Sequence, residues 1–295
     1  MTSETPNIRR EELQLSAHDG YPLRATLYHA PQPRARLLIG GATGVPQGFY
    51  RRFAEYAAQR GYSTLSVDYR GIGQSKPAQL RGFAMRYLDW ATHDLAAALD
   101  HLHGDDLPTY MVGHSFGGHA FGLLPGHERV AGFYTFGTGA GWHGWMPRAE
   151  RVRVQLMWNL VGPLIVMRKG YLAWSKLGMG EDLPLGVYQQ WKRWCRYPRY
   201  FFDDPEQGHL AAQFASVRTP IVAANTLDDL WAPPSSRDAF MAAYSAAPYQ
   251  ARTIDSQAEG LGAIGHMGYF RSSATPLWDE ALEWFEQLQS TSRAA

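Results

Sequence analysis

Two short alternating stretches open the chain. Glu12-Leu-Gln-Leu-Ser16 puts apolar side chains at every second position, His18-Asp-Gly20 supplies a turn, and Leu23–Tyr28 continues the strand pattern. Period-two alternation marks a strand with one buried face, so residues 12–28 predict an antiparallel hairpin. Arg36-Leu-Leu-Ile-Gly40 is a near-continuous apolar run that ends in Gly40-Gly-Ala-Thr-Gly44. From about Phe49 to Gln59 a helix is predicted, with Phe53, Tyr56 and Ala57 on one face and Gly61 as its stop. Ser63–Val67 reads as a strand, and Phe83–Leu102 as one long helix carrying Tyr87, Leu88, Leu95, Leu99 and Leu102 at helical spacing. A strand over Thr109–Val112, a glycine-rich turn, a helix to about Leu124 and a strand over Val130–Phe136 follow. That alternation predicts a mostly parallel sheet with helices on both faces.

The periodicity lapses from about residue 137 to 212. This stretch holds Trp142, Trp145, Trp158, Trp174, Trp191 and Trp194 among recurring glycines, prolines and arginines. The strand pattern resumes at Pro220–Ala224, then a helix near Ser235–Ala246, a strand near Gln250–Ile254 and a closing helix near Leu277–Leu288. The prediction is one α/β domain of eight strands, built from residues 1–136 and 213–295 and interrupted by an insertion over 137–212.

Composition excludes several classes of function. A hydrophobic fraction of 45% suits a folded globular chain of 295 residues. Its 28 basic and 27 acidic residues leave a net charge of +1, which gives no electrostatic reason to expect nucleic acid or an anionic membrane as partner. Cys195 is the only cysteine, so neither an internal disulfide framework nor a cysteine metal site is available, and the chain fits a cytoplasmic setting. Residues 1–10 lack the apolar core of a signal peptide. The longest apolar run, Leu160–Met167, is broken by Gly162 and Pro163 and falls short of the roughly 18–20 residues a membrane span needs. The expectation is a soluble protein without stable membrane insertion; a homodimer is compatible with the pattern but not required by it.

The chemistry concentrates at Gly113-His-Ser115-Phe-Gly117, a G-x-S-x-G motif between an apolar strand and a helix. That setting forces a serine into a strained turn with its hydroxyl clear of the sheet, and small residues two before and two after are needed where the backbones crowd. A serine hydroxyl is a weak nucleophile without a base. Of eleven histidines only His266 lies after the last predicted strand, where a base in the order Ser…Asp/Glu…His belongs. The acid is expected after the penultimate strand, where Asp228 and Asp229 are adjacent; Asp255 is a weaker third choice.

Together with Val67-Asp68-Tyr-Arg70-Gly71-Ile-Gly73-Gln-Ser75, these segments resemble the α/β-hydrolase superfamily over nearly the whole chain. The stretches GGATGVPQGFYRRFA, DDLWAPP and IGHMGYFR look like bacterial predicted hydrolases close to the serine aminopeptidase and monoglyceride-lipase-like families. The resemblance favours Asp229, because Pro220, Asp229 and Pro233 match the family's spacing, and keeps Asp228 as the alternative. It implies an oxyanion hole from the N–H groups of Phe116 and Ala42, with Thr43 as a substitute for the latter. Gly40 stands where many relatives carry histidine. Asp68 and Arg70 are expected to fix the neighbouring loop, and the insertion to form a helical cap.

The function implied is cleavage of a carboxylic ester or related acyl bond in a small molecule, with no metal or organic cofactor. An acyltransferase and a small-peptide aminopeptidase are alternatives on the same residues, and a non-catalytic binding protein is a third. The aminopeptidase needs an acidic group for the substrate amine, for which Glu150, Glu181 and Asp182 are available. The tryptophans of the insertion either line a site or pack the insertion onto the core. Arg148, Arg151, Arg153, Arg168 and Lys169 either bind an anionic substrate group or face solvent.

Overall fold

Eight strands form a single open sheet in a computed structural model that describes residues 8–294 apart from 105 and 179. The first seven residues, part of the stretch that lacks a signal-like core, lie outside the described residues. The strands are β1 (Arg9–Ser16), β2 (Pro22–His29), β3 (Ala35–Gly40), β4 (Tyr62–Asp68), β5 (Thr109–His114), β6 (Val130–Phe136), β7 (Ile221–Thr226) and β8 (Tyr249–Ile254). Their order across the sheet is β1-β2-β4-β3-β5-β6-β7-β8. β2 is antiparallel to both β1 and β4, and every other pair is parallel.

Parallel strands need helical crossovers, which cover both faces of the sheet, and the central strands are accordingly buried end to end. Leu37, Ile39, Val112, Tyr134 and Phe136 point to one face. There they meet Phe53 and Ala57 of α1 (Arg51–Gln59) and Trp278, Leu282 and Phe285 of the closing helix. Leu38, Met111 and Phe133 point to the other face, against Leu95, against Leu99 of α2 (Ala96–Leu102) and against Phe116 and Ala120 of α3 (Phe116–Ala120). The alternation of neighbouring residues between two cores is the period-two geometry of a strand.

The eight strands and their mostly parallel pairing agree with the sequence pattern; the helices depart from it in places. The helix expected over 83–102 starts late. The Arg86 N–H donates to Asp89 Oδ2 (2.7 Å) and the Tyr87 N–H to Gln190 Oε1, so side chains hold this backbone in a non-helical turn. A π-helical turn over Trp90–Leu95 then leads into α2. α3 ends at Ala120 in a 3-10 turn rather than continuing to Leu124. Between β6 and β7 the chain forms α4 (Arg148–Leu156), α5 (Gly162–Lys169), α6 (Leu185–Trp194) and α7 (His209–Ala215). Gly162 and Pro163 do not break α4 from α5, because a π-helical turn over Met157–Val161 absorbs the i−4 hydrogen bond that proline cannot make. α8 (Pro234–Met241) and α9 (Thr275–Ala294) complete the chain. Among the described residues no helix is long and apolar enough to cross a membrane.

Arg70, just beyond β4, ties the opening hairpin to the helical layer. Its guanidinium donates to Asp19 (2.5 and 2.8 Å) and to the fully buried Asp94 (2.8 Å). Burial pushes the Asp94 carboxyl up to about 6 despite the adjacent cation. Asp68 accepts from the Gln47 N–H (2.7 Å) and the Gln74 N–H (3.0 Å), fixing the loops on either side of it. Arg70→Ala leaves a buried carboxylate without its cation and should destabilise the fold by about 3–5 kcal/mol in urea denaturation. A loss below about 1 kcal/mol would show that the pair is not a structural tie.

Candidate active site

Ser115 sits at the carboxyl end of β5, where the chain reverses into α3 with φ 51° and ψ −109°. A side-chain-bearing residue held there costs of order 1–3 kcal/mol, which the surrounding packing must offset. Three glycines make the turn possible. A Cβ on Gly113 would lie 2.8 Å from the Gly117 carbonyl carbon, and one on Gly117 would collide with the Gly40 carbonyl oxygen. β3, β5 and α3 therefore touch backbone to backbone.

The strain aims the Ser115 hydroxyl at His266. Ser115 Oγ lies 3.0 Å from His266 Nε2, and His266 Nδ1 lies 2.9 Å from Asp229 Oδ2. Asp229, with no exposed surface, also accepts from the Trp231 N–H (3.0 Å) and the Ala232 N–H (2.9 Å), and Tyr269 Oη approaches at 3.3 Å. Burial alone would raise the Asp229 carboxyl, but the charge and hydrogen bond of His266 and the two backbone N–H groups bring it below its usual value. On His266 the influences oppose in the same way. Burial pulls the imidazole down, and the Asp229 carboxylate more than compensates, so its pKa lies above 6.5.

The two aspartates have separate roles. Asp228 points away from the imidazole and accepts the Ile264 N–H (2.9 Å), holding the loop two residues before His266. Asp255 accepts only a local Ala258 N–H (3.0 Å) and does not reach His266. Gly137, with φ 61°, closes the pair from β6; a Cβ there would lie 3.3 Å from Asp229 Oδ2.

One expected oxyanion donor is not free. The Ala42 N–H donates to the buried Tyr50 hydroxyl (2.7 Å), because the Tyr50 ring packs where Gly41 has no side chain. Ala42 borders the cavity over Ser115, with its N–H turned to Tyr50. Tyr50 Oη in turn meets Nδ1 of His114 (3.0 Å), whose Nε2 faces the His266 carbonyl oxygen (2.9 Å). The carbonyl must accept, so Nε2 carries the proton and the Tyr50 hydroxyl donates to Nδ1. Burial, reinforced by His266, lowers the His114 pKa to about 3 and keeps this ring neutral. Sequence reading passed over Tyr50 and His114; an isolated tyrosine eleven residues beyond Ile39 carries no motif. The Thr43 N–H has no acceptor among the described residues, and Thr43 Oγ1 is held by Tyr87 Oη. The Phe116 N–H is one of the first donors of α3, which have no acceptor within a helix.

A cavity of about 360 Å3 opens above Ser115 and His266, lined by Thr43 and by Trp174, Trp191 and Trp231. A larger groove of about 910 Å3 runs over β1 and Arg51 but includes neither Ser115 nor His266. The tryptophans of the insertion divide between the two expected roles. Trp174 and Trp191 line the cavity, whereas Trp194 is buried against Tyr87 and donates to Asp204 (3.1 Å). None of Arg148, Arg151, Arg153, Arg168 and Lys169 lines it; Arg151 instead donates to the carbonyls of His143 and Gly144.

A mostly parallel sheet that presents a serine on a strand-to-helix turn, with a late histidine and acid facing it, defines an α/β-hydrolase. The chain has the α/β-hydrolase fold, and the profile of the serine aminopeptidase family S33 matches residues 31–172. Among solved structures it is similar to a soluble variant of monoglyceride lipase from Saccharomyces cerevisiae in complex with a substrate analogue (15% identity, 97% of each chain covered, TM-score 0.66). It is also similar to an esterase from Pyrococcus furiosus (13% identity, 95% of this chain and 93% of that one, TM-score 0.60). A haloalkane dehalogenase loop variant from Bradyrhizobium elkanii matches as well (13% identity, 98% and 99% covered, TM-score 0.63). No curated protein matches the chain in sequence. Neighbours with such different reactions on one fold leave the chemistry to be argued from the site.

NMR titration of His266 should give a pKa above 6.5 in the wild type and below 6.5 in Asp229→Asn, where burial acts without the opposing charge. Asp228→Asn should leave it above 6.5. Equal shifts in the two variants would contradict the division of roles.

Proposed function

We propose that the protein is a serine hydrolase that cleaves a carboxylic ester through an acyl-enzyme, with Ser115 as nucleophile, His266 as base and Asp229 as acid. The observation that carries this reading is the chain of contacts Ser115 Oγ–His266 Nε2–Asp229, at 3.0 and 2.9 Å. His266 takes the serine proton as Oγ attacks the ester carbonyl, and Asp229 stabilises the imidazolium that forms. The imidazolium then returns the proton to the leaving alcohol, and water repeats the sequence to release the acid. The Phe116 N–H and, in place of Ala42, the Thr43 N–H are the donors for the oxyanion; one such donor is worth about 10²–10³ in kcat.

We also assign residues 137–212 the role of a cap, because Trp174 and Trp191 from this segment complete the cavity over Ser115. The ester reading is favoured over an aminopeptidase by the fate of the acidic residues. Glu150 accepts the Trp231 indole N–H (3.0 Å), Glu181 accepts the Gly73 N–H (2.9 Å) and pairs with Lys76 (2.6 Å), and Asp182 accepts from Ser175 (2.6 Å). Among the described residues no carboxylate lines the cavity to receive a substrate amine.

Ser115→Ala should lower the turnover of p-nitrophenyl acetate by at least about 10⁴-fold and abolish labelling by a fluorophosphonate. Undiminished turnover in that variant would overturn the proposal. In the wild type kcat/KM should fall as the pH drops through the His266 pKa, above 6.5, because the imidazolium cannot accept the serine proton. A flat profile between pH 5 and 8 would exclude His266 as the base.

A further inference from the structure

The cavity wall is a continuous run of aromatic rings that ends at the proposed base. The Trp174 and Trp191 centroids are 5.1 Å apart at 60°, Trp191 and Trp231 are 6.0 Å apart at 43°, and Trp231 and His266 are 6.3 Å apart at 32°. Trp174 comes from the segment between α5 and α6, Trp191 from α6, and Trp231 from the loop that carries Asp229. The insertion and the sheet therefore share one wall.

Trp231 is held from both ends. Its backbone N–H donates to Asp229 Oδ1 (3.0 Å), and its indole N–H donates to Glu150 Oε1 (3.0 Å) on α4. Glu150 is buried, and its nearest cation is Arg153 at 3.5 Å. Trp191 is backed by Trp158, 5.1 Å away at 75°. These ring faces are braced before any ligand arrives.

We infer that the substrate is an ester carrying a compact, uncharged aromatic ring, seated against Trp191 and Trp231. This rests on the reading of Ser115 as the nucleophile. Three features support it. A cavity of about 360 Å3 is near the lower end of the range for small-molecule sites, which suits a single ring better than a long chain. Aromatic rings are attracted to one another at centroid separations of 4.5–7 Å in tilted or edge-on geometry, the spacing this wall already shows within itself. A saturated ring of the same size gains only the burial, and each ring pair adds roughly two- to tenfold in affinity beyond that. Finally, no carboxylate among the described lining residues complements a charged amine on the ligand. Trp231 is thus a specificity-determining residue, and Glu150 is a positioning residue that acts through it.

The test uses two matched pairs of esters, each followed by acid release. Methyl phenylacetate against methyl cyclohexylacetate puts the ring on the acyl side. Benzyl acetate against cyclohexylmethyl acetate puts it on the alcohol side. The aromatic member should be favoured about tenfold in kcat/KM in one pair, with most of the difference in KM. Trp191→Leu and Trp231→Leu should bring that ratio to about one. Glu150→Ala should lower it, and Glu150→Gln, which keeps an acceptor for the indole, should restore it. A wild-type ratio of one or less in both pairs overturns the inference without any variant, as does a ratio unchanged in both tryptophan variants. If Ser115 takes no fluorophosphonate and no ester is turned over, the proposed function itself fails; turnover without aromatic preference removes only the substrate class.

Discussion

Everything at this site depends on one close approach, that of α3 against β3 and β5. The backbone at Gly117 lies where a single added carbon would strike Gly40, and Gly113 has no more room. With side chains at these positions α3 would move away from the sheet, and Ser115 would relax from its strained φ of 51° to an ordinary one. The hydroxyl would then leave the line toward His266. The site is therefore paid for in backbone conformation, and the two dense cores on either side of the sheet hold that conformation in place.

The second layer of order is a set of polar ties between loops that are distant in sequence. Tyr50 and His114 link the loop after β3 to the backbone of His266. Asp228 holds the same histidine loop from the β7 side, while Asp229 faces the ring. Each tie is buried or half-buried, so the net worth of each hydrogen bond is modest but the cost of leaving a partner unmet is larger. The histidine is located by its surroundings as much as by its own packing.

Much of this was legible in the sequence, for physical reasons. The strands show because a buried parallel strand must be apolar over its whole length, as in Thr109–Val112 and Pro220–Ala224. Ser115 and His266 stand out in the sequence because small residues flank each of them, in Gly113–Gly117 and in Gly265–Gly268. What the pattern could not reveal was decided by contacts across the fold. Ala42 looked free until Tyr50, eight residues on, filled the space above Gly41. Arg86 and Tyr87 lie within the stretch expected to be helical, yet Asp89 and the distant Gln190 take their backbone donors. Gly162-Pro163 reads as a break because no sequence rule announces the π-helical turn that accommodates it.

Asp228 and Asp229 are neighbours with opposed duties, and this has a consequence for how the chain can vary. Adding one residue before the pair would put Asp228 opposite the imidazole and leave the Ile264 N–H without its carboxylate, while removing one would put Asp229 opposite the Ile264 N–H and Leu230 opposite the imidazole. The segment from β7 to α8 is therefore intolerant of length change, although it lies at the surface and exposes Leu227 and Leu230. The segment between β6 and β7 is under no such register, since it meets the site through large ring faces that tolerate small displacements. Insertions and deletions should accumulate there, whereas the β7–α8 loop, which carries Trp231, can alter what the protein accepts only by substitution at constant length.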